Sequence, residues 1–290
     1  MFSGAIVATV TPFKNGRVNY PALRKLIRRQ ISAGTDGIVP CGTTGESATL
    51  SYEEHKRVVE EAVGVTGGRV PVIAGTGSNN TKEAIMLTKH AAKVGADGAL
   101  VITPYYNKPT QEGMYQHFRV IAESVKIPLV VYNVPSRTGV NILPETVIRL
   151  SRLKNIVGIK EASGNLTQTC EIIRGTSPGF SVLSGDDFLF FPMLCVGAKG
   201  VISVTSNVVP DRMARIYDSF SGGDLEEARK THYSLMPLYY ALFIETNPIP
   251  AKTSLGMMGV IDPELRLPLT PMSAQGKKEL RKVLKDSQIL

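Results

Sequence analysis

Residues 70–103 read VPVIAGTGSNNTKEAIMLTKHAAKVGADGALVIT. A short apolar run, Val70 to Ala74, ends in a polar turn, and Thr81 to Val94 then carries apolar residues at helical spacing. Gly95 stops that helix, and a second β-branched run follows from Ala99 to Thr103. Two strands joined through a helix pair in parallel by a right-handed crossover.

The same unit recurs along the whole chain. Short runs that read as strands occupy Ile6 to Val10, Gly37 to Cys41, Val70 to Ala74, Ala99 to Thr103, Leu129 to Tyr132, Ile156 to Lys160, Ser181 to Leu183 and Val201 to Val204. Helical patterns lie between them, among them Tyr20 to Ala33, Tyr52 to Val65, Thr81 to Val94 and Glu112 to Val125, and Gly34 follows the first as Gly95 follows the third. About eight such units predict closure into a (β/α)₈ TIM barrel. An open doubly wound sheet is the alternative, disfavoured by the strand count and by the missing G-x-G-x-x-G after the first strand. Beyond Gly223 the alternation ceases. Asp224 to Ile244, a stretch near Asn247-Pro-Ile-Pro250, and Ser273 to Leu284 read as helices, which divides the chain into a barrel over 1–223 and a C-terminal helical appendage over 224–290.

The 290 residues are 43% hydrophobic and 20% charged, the balance of a globular chain able to bury a large core. The net charge of +8 is dispersed. Its densest groups, Arg24, Lys25, Arg28 and Arg29 and then Lys277, Lys278, Arg281, Lys282 and Lys285, fall at helical spacing and read as solvated faces. Nucleic acid is therefore not an expected partner, and the charge suits small anionic substrates instead. Cys41, Cys170 and Cys195 have no metal or redox spacing and read as reduced core or near-core thiols. With no basic region before the first apolar run and no segment long enough to span a bilayer, the expected location is cytoplasmic.

Function centres on Lys160, the only charge in the run Ile156-Val-Gly-Ile-Lys160. Desolvation pushes a lysine in such a place toward its neutral amine, a nucleophile able to form a Schiff base with a carbonyl. A lysine that snorkels to water from a strand end is the bland alternative. The strand period of two puts Lys160 on one face with Ile156 and Gly158, and Tyr132 on the matching face of the preceding run. A phenol beside an imine can shuttle protons, although a core aromatic whose hydroxyl merely reaches the rim would look alike. After the second strand, Gly42-Thr-Thr-Gly-Glu46 forms a tight turn able to present N–H groups to an anion, or simply to cap the next helix. His55, His90, His117 and His232 are scattered, so no metal site is expected.

Gly42-Thr-Thr-Gly-Glu46, Thr103-Pro-Tyr-Tyr-Asn107, Tyr132-Asn-Val-Pro-Ser-Arg-Thr-Gly139 and Gly158-Ile-Lys-Glu-Ala162 together resemble the signature segments of the dihydrodipicolinate synthase family. The likeness continues through Leu183-Ser-Gly-Asp-Asp187, Gly200-Val-Ile-Ser-Val204 and Asn247-Pro-Ile-Pro250, in the same order over essentially the whole chain. It implies condensation of pyruvate with L-aspartate 4-semialdehyde, the first committed step of the diaminopimelate route to lysine, with Lys160 as Schiff-base residue and no separate cofactor. By the same resemblance Tyr132 is the general acid/base, Thr43 and Tyr106 complete a proton relay, and Thr44 and the backbone of Ile202 hold pyruvate. Arg137 meets the carboxylate of the aldehyde. Tyr106 serves a neighbouring subunit's site, which implies a dimer at least and a tetramer by family habit.

Regulation by L-lysine is also implied, at an interface formed by Ser47, Ala48, His55, Asn79, Glu83 and Tyr105, whereas Tyr52 departs from the residues usual in regulated relatives. These side chains could equally cap helices and fill an interface. The rival within the superfamily is a pyruvate-dependent aldolase such as N-acetylneuraminate lyase or a 2-keto-3-deoxy sugar acid aldolase, against which Arg137 and the Thr43-Thr44 pair speak. A non-catalytic sensing barrel is the rival of another class, and retention of the full polar set disfavours it.

Overall fold

The structure, a computed structural model, describes residues 2–290. In the unit quoted first, Asn80 caps the helix Thr81–Lys93 by accepting from the Lys82 N–H, and Ala84, Leu87, Thr88 and Ala91 form its buried stripe. Gly95 then turns the chain at φ +86°, a conformation an L side chain rarely adopts, and delivers it into the strand Gly98–Ile102. This strand pairs in parallel with the strand Ile73–Gly75 that preceded the helix.

The eight barrel strands are β1 (Gly4–Ala8), β2 (Gly37–Val39), β3 (Ile73–Gly75), β4 (Gly98–Ile102), β5 (Leu129–Asn133), β6 (Ile156–Glu161), β7 (Ser181–Ser184) and β8 (Gly200–Ser203). Their order in the sheet is β2-β1-β8-β7-β6-β5-β4-β3, and a parallel bridge from Ile38 to Val72 closes β2 onto β3. Every strand thus lies beside its sequence neighbours, as expected for a (β/α)₈ barrel. Four strands start at the expected residue and the other strand ends differ by one to three residues, because periodicity locates a face better than it locates the last ladder bond.

A hairpin of Phe13–Lys14 with Arg17–Val18 was not anticipated, yet it has a local signal. Its turn is Asn15-Gly16, both at positive φ, as the tight two-residue hairpin requires. The helical patterns form α1 (Tyr20–Ser32), α2 (Tyr52–Thr66), α3 (Thr81–Lys93) and α4 (Gln111–Ser124), followed around the barrel by α5 (Pro144–Leu150), α6 (Leu166–Gly175), α7 (Phe190–Cys195) and α8 (Pro210–Ser221). In the tail, α9 (Leu225–Ser234) and α10 (Met236–Ala241) are separate helices, since Pro237 stands in the first turn of the second, where its missing N–H costs nothing. Two more helices, α11 (Ile249–Met257) and α12 (Ala274–Asp286), complete the chain.

The tail packs on the outside of the barrel. Leu235, Leu238, Tyr239, Leu255, Leu280 and Leu284 share one hydrophobic cluster with Ala5 of β1 and Val201 of β8. The basic residues of α12, from Lys277 to Lys285, stand exposed opposite that seam. Arg29 departs from its expected place on a solvated face: its guanidinium donates to the carbonyl oxygens of Asn207 and Val208, at 2.8 Å each, and ties α1 to the turn after β8. The cysteine reading also needs correction, since Cys41 is buried but Cys170 on α6 and Cys195 on α7 are exposed. Among the described residues no helix is long and apolar enough to cross a membrane.

Candidate active site

The inward faces of the strands supply Ile6, Ala8, Val39, Ile73, Leu100, Val130, Leu183 and Ile202, all apolar and all buried. Lys160 enters from the same side of β6 and is 5% exposed. In the ladder its neighbours are Tyr132 on β5 and Leu183 on β7, so register alone brings the lysine beside the phenol. The Lys160 amine lies 4.3 Å from the centroid of the Tyr132 ring. It makes no hydrogen bond to protein among the described residues.

Room for the lysine stem comes from Gly185, at the end of β7. A Cβ there would lie 2.6 Å from Ala162 Cβ, closer than real side chains come, and 3.0 Å from Lys160 Cε, tight enough that the stem must give. Gly185→Ala should therefore displace Lys160, costing about 1–3 kcal/mol of stability as an overpacked core does. Turnover should fall with it, so denaturant midpoints and steady-state rates measured on one preparation check both effects.

Glu161, one residue on, points to the opposite face. Its buried carboxylate accepts from Asn133 Nδ2 at 3.0 Å, Gln168 Nε2 at 3.1 Å and the Ser163 N–H at 2.7 Å, outside the barrel lumen. The strand pleat thus sends two adjacent ionisable side chains to different faces, Lys160 into the lumen and Glu161 into a hydrogen-bonded cluster outside it.

The turn after β2 places Thr44, 2% exposed, and the half-buried Thr43 at the same end of the barrel. Two residues later Glu46 adopts a left-handed conformation at φ +53°, and its buried carboxylate is met by Lys252 of α11 at 2.5 Å and by the Arg266 N–H at 3.2 Å. Burial pushes the Lys252 pKa down while Glu46 opposes the shift. Thr44 Oγ1 itself accepts a 3.0 Å hydrogen bond from Asn247 Nδ2. Neither Asn247 nor Lys252 was among the expected site residues.

Arg137 sits in the one-turn helix Pro135–Thr138 after β5, exposed to solvent, and donates through Nη2 to the Asn247 carbonyl oxygen at 3.2 Å. Ile202 is fully buried on β8 beside Ile6 of β1. Just beyond it, Asp187 braces the turn after β8 by accepting from the N–H groups of Val204 and Thr205 and from the Thr205 hydroxyl. Tyr106 is the member that one chain does not bring in. Its side chain is 89% exposed on a left-handed backbone at φ +70°, and no hydrogen bond joins Thr43 to Tyr132 or Tyr106 among the described residues.

The lysine and the tyrosine stand against an apolar barrel lumen, with Thr44 and Arg137 in the turns that follow β2 and β5. The sequence model of the dihydrodipicolinate synthetase family matches residues 1–287. The chain belongs to that family. The 4-hydroxy-tetrahydrodipicolinate synthase of Syntrophus aciditrophicus (strain SB) is 61% identical, over 99% of this chain and 98% of that protein. The chloride-inhibited dihydrodipicolinate synthase of Acinetobacter baumannii, solved in complex with pyruvate, superposes with a TM-score of 0.98 at 47% identity and covers 100% of both chains. The enzyme of the family from Cyanidioschyzon merolae, solved with lysine bound, gives 0.96 at 44% identity, covering 100% of this chain and 99% of that one.

A second polar cluster of this family member lies at the N-termini of α2 and α3. Glu83 accepts from the Ser78 hydroxyl at 2.8 Å and from Asn80 Nδ2 at 3.4 Å. It also stands near Tyr52, whose phenol is pushed above its ordinary pKa by the Glu83 carboxylate first, with burial and Tyr105 adding to the effect. The Asn79 carbonyl accepts from Asn107 Nδ2 at 3.0 Å, which links the cluster to the segment carrying Tyr105 and Tyr106. Ser47 is half-buried and Ala48 exposed on the short 3₁₀ turn before α2. His55 is turned inward, 7% exposed, with Nε2 2.8 Å from the Gly75 carbonyl, and burial lowers its pKa. Its ring is thus committed to the barrel wall on that nitrogen.

Proposed function

We propose that this chain is a 4-hydroxy-tetrahydrodipicolinate synthase that condenses pyruvate with L-aspartate 4-semialdehyde through a Schiff base on Lys160. The observation that carries the reading is the amine of Lys160, alone among apolar residues of the lumen and packed on Tyr132. Lys160 attacks the pyruvate ketone, and loss of water gives the imine. A proton leaves the methyl carbon to form an enamine, whose carbon then adds to the aldehyde of the second substrate. The amino group of that substrate attacks the imine carbon, closes the ring and releases Lys160. The imine serves as electron sink, so no further group enters these steps. Tyr132, placed against the nitrogen, moves the protons.

Thr44 receives the pyruvate carboxylate with the backbone of Ile202 opposite, and Arg137 receives the carboxylate of the aldehyde with a planar pair of N–H donors. Arg137→Ala should lower kcat/KM for the aldehyde by about 1.5–3 kcal/mol equivalent while leaving the pyruvate KM nearly constant. Initial rates with each substrate varied in turn check this, and a change confined to pyruvate would reassign the residue. Offering sugar acid aldolase substrates beside the semialdehyde separates the synthase from its superfamily rivals.

Thr43 and Tyr106 complete the proton relay in the assembled enzyme. The exposure of Tyr106 supports its insertion into a neighbouring subunit's site, within a dimer at least and a tetramer as the full assembly. A monomer mass by sedimentation in a fully active preparation would overturn that. Glu83, Asn79, Tyr105, Ser47, Ala48 and His55 are proposed to receive L-lysine, the carboxylate of Glu83 meeting a ligand ammonium. Glu83→Ala should abolish inhibition by L-lysine and keep the uninhibited rate, while a parent rate flat across lysine titration would remove the regulatory reading.

A further inference from the structure

Asn247 belongs to the C-terminal helical region, yet it touches both groups assigned to the two substrate carboxylates. It is 5% exposed. Its amide donates to Thr44 Oγ1 at 3.0 Å, and its backbone carbonyl accepts from Arg137 Nη2 at 3.2 Å. We propose that Asn247 is a positioning residue that sets the hydrogen-bond direction of Thr44 and the aim of Arg137, so that substrate recognition is directed from outside the barrel. This rests on the reading of Thr44 and Arg137 given above.

A threonine hydroxyl has one hydrogen and two lone pairs. By accepting an N–H from Asn247, Thr44 commits a lone pair and keeps its hydrogen for another acceptor, and among the described residues its hydroxyl donates to no protein group. A carboxylate offers only acceptors, so a Thr44 held in this sense is matched to one end of pyruvate. Without the amide, the hydroxyl can rotate and its hydrogen has no fixed direction.

The position of Asn247 is itself enforced. Five residues on, Lys252 enters from α11 and pairs with Glu46, both side chains being at most 1% exposed, while Glu46 lies two residues from Thr44. The helical region therefore grips the turn at two points, Lys252 at Glu46 and Asn247 at the Thr44 hydroxyl. Asn247 Oδ1 is buried and has no partner, so the side chain is held through its nitrogen alone.

The test is steady-state kinetics on Asn247→Ala, Asn247→Asp and Thr44→Val, with a double-mutant cycle between the first and the last. Asn247→Ala should raise the pyruvate KM about tenfold, the scale of one hydrogen bond to a charged ligand, with a smaller rise for the aldehyde. The kcat at saturation should change less than KM, a split that mere loss of folded enzyme would not produce. Asn247→Asp, whose carboxylate can only accept, should take the Thr44 hydrogen for itself and raise the pyruvate KM further. In the cycle, Asn247→Ala should add little once the Thr44 hydroxyl is gone. An unchanged pyruvate KM in both Asn247 variants, or additive effects in the cycle, would overturn the proposal. If Asn247→Ala fails to fold, Asn247→Asp with Thr44→Val closes an equivalent cycle. Borohydride trapping of pyruvate on the parent enzyme is run alongside. Absent trapping fails the underlying reading of the site, whereas normal trapping with a normal KM in the variants fails the Asn247 assignment alone.

Discussion

Lys160→Ala should lose turnover by on the order of 10⁴-fold or more, the scale seen when a covalent nucleophile is removed from an otherwise intact site. Borohydride reduction in the presence of pyruvate should attach one pyruvate-derived group to the parent protein, on the peptide carrying Lys160, and none to the variant. Stability should change little, because the lysine amine forms no protein hydrogen bond that its removal would orphan. Labelling that persists in Lys160→Ala, or parent-like turnover, would place the chemistry on another residue.

Lys252→Met should produce the largest loss of stability. It would leave the carboxylate of Glu46 buried without its cation, and removing one partner of such a pair costs about 3–5 kcal/mol. The Arg266 N–H that also reaches Glu46 cannot replace a full charge. Combining Lys252→Met with Glu46→Gln removes both charges and should recover much of the loss, since the desolvation cost then disappears for both partners. Urea midpoints of the two single variants, the double variant and the parent measure this. Equal midpoints for Lys252→Met and the parent would mean that water reaches the pair.

Lys160 and Lys252 together show how far the sequence could be read. Each is the one charge in an otherwise uncharged, largely apolar stretch, Ile156 to Lys160 and Ile249 to Leu255, and the desolvation argument that singles out the first extends to the second. Both amines lie over an aromatic ring, Tyr132 for the first and Phe13 for the second, and what separates them is Glu46, distant in sequence and opposite Lys252 in space, whereas Lys160 has no carboxylate. Local patterning carries no trace of that pairing. The barrel was legible because it is built from nearest-neighbour strands, so periodicity and glycine stops specify almost every contact of the sheet. Tyr132 beside Lys160 followed from the same register.

Asn247 was visible only as part of a motif, because its partners Thr44 and Arg137 lie in segments 203 and 110 residues away. Arg29 illustrates a related point: helical spacing identifies a basic face but not the loop carbonyls that fold onto it. Cys170 and Cys195 were placed in or near the core by composition, and the short helices α6 and α7 turn them outward instead.

Cys41 stands immediately before the turn that carries Thr43 and Thr44, on a left-handed backbone at φ +56°. Its thiol donates to the His55 carbonyl oxygen at 3.6 Å, and burial raises its pKa. Only a thiolate attacks an electrophilic reagent, so alkylation of Cys41 in the native protein must wait for the turn to detach and let water in. In a Cys170→Ser/Cys195→Ser background the alkylation rate becomes a clock for that opening, with no probe introduced. Pyruvate seated across Thr44 should slow the clock in proportion to occupancy, and a rate indifferent to pyruvate would mean that the turn opens independently of the ligand it holds.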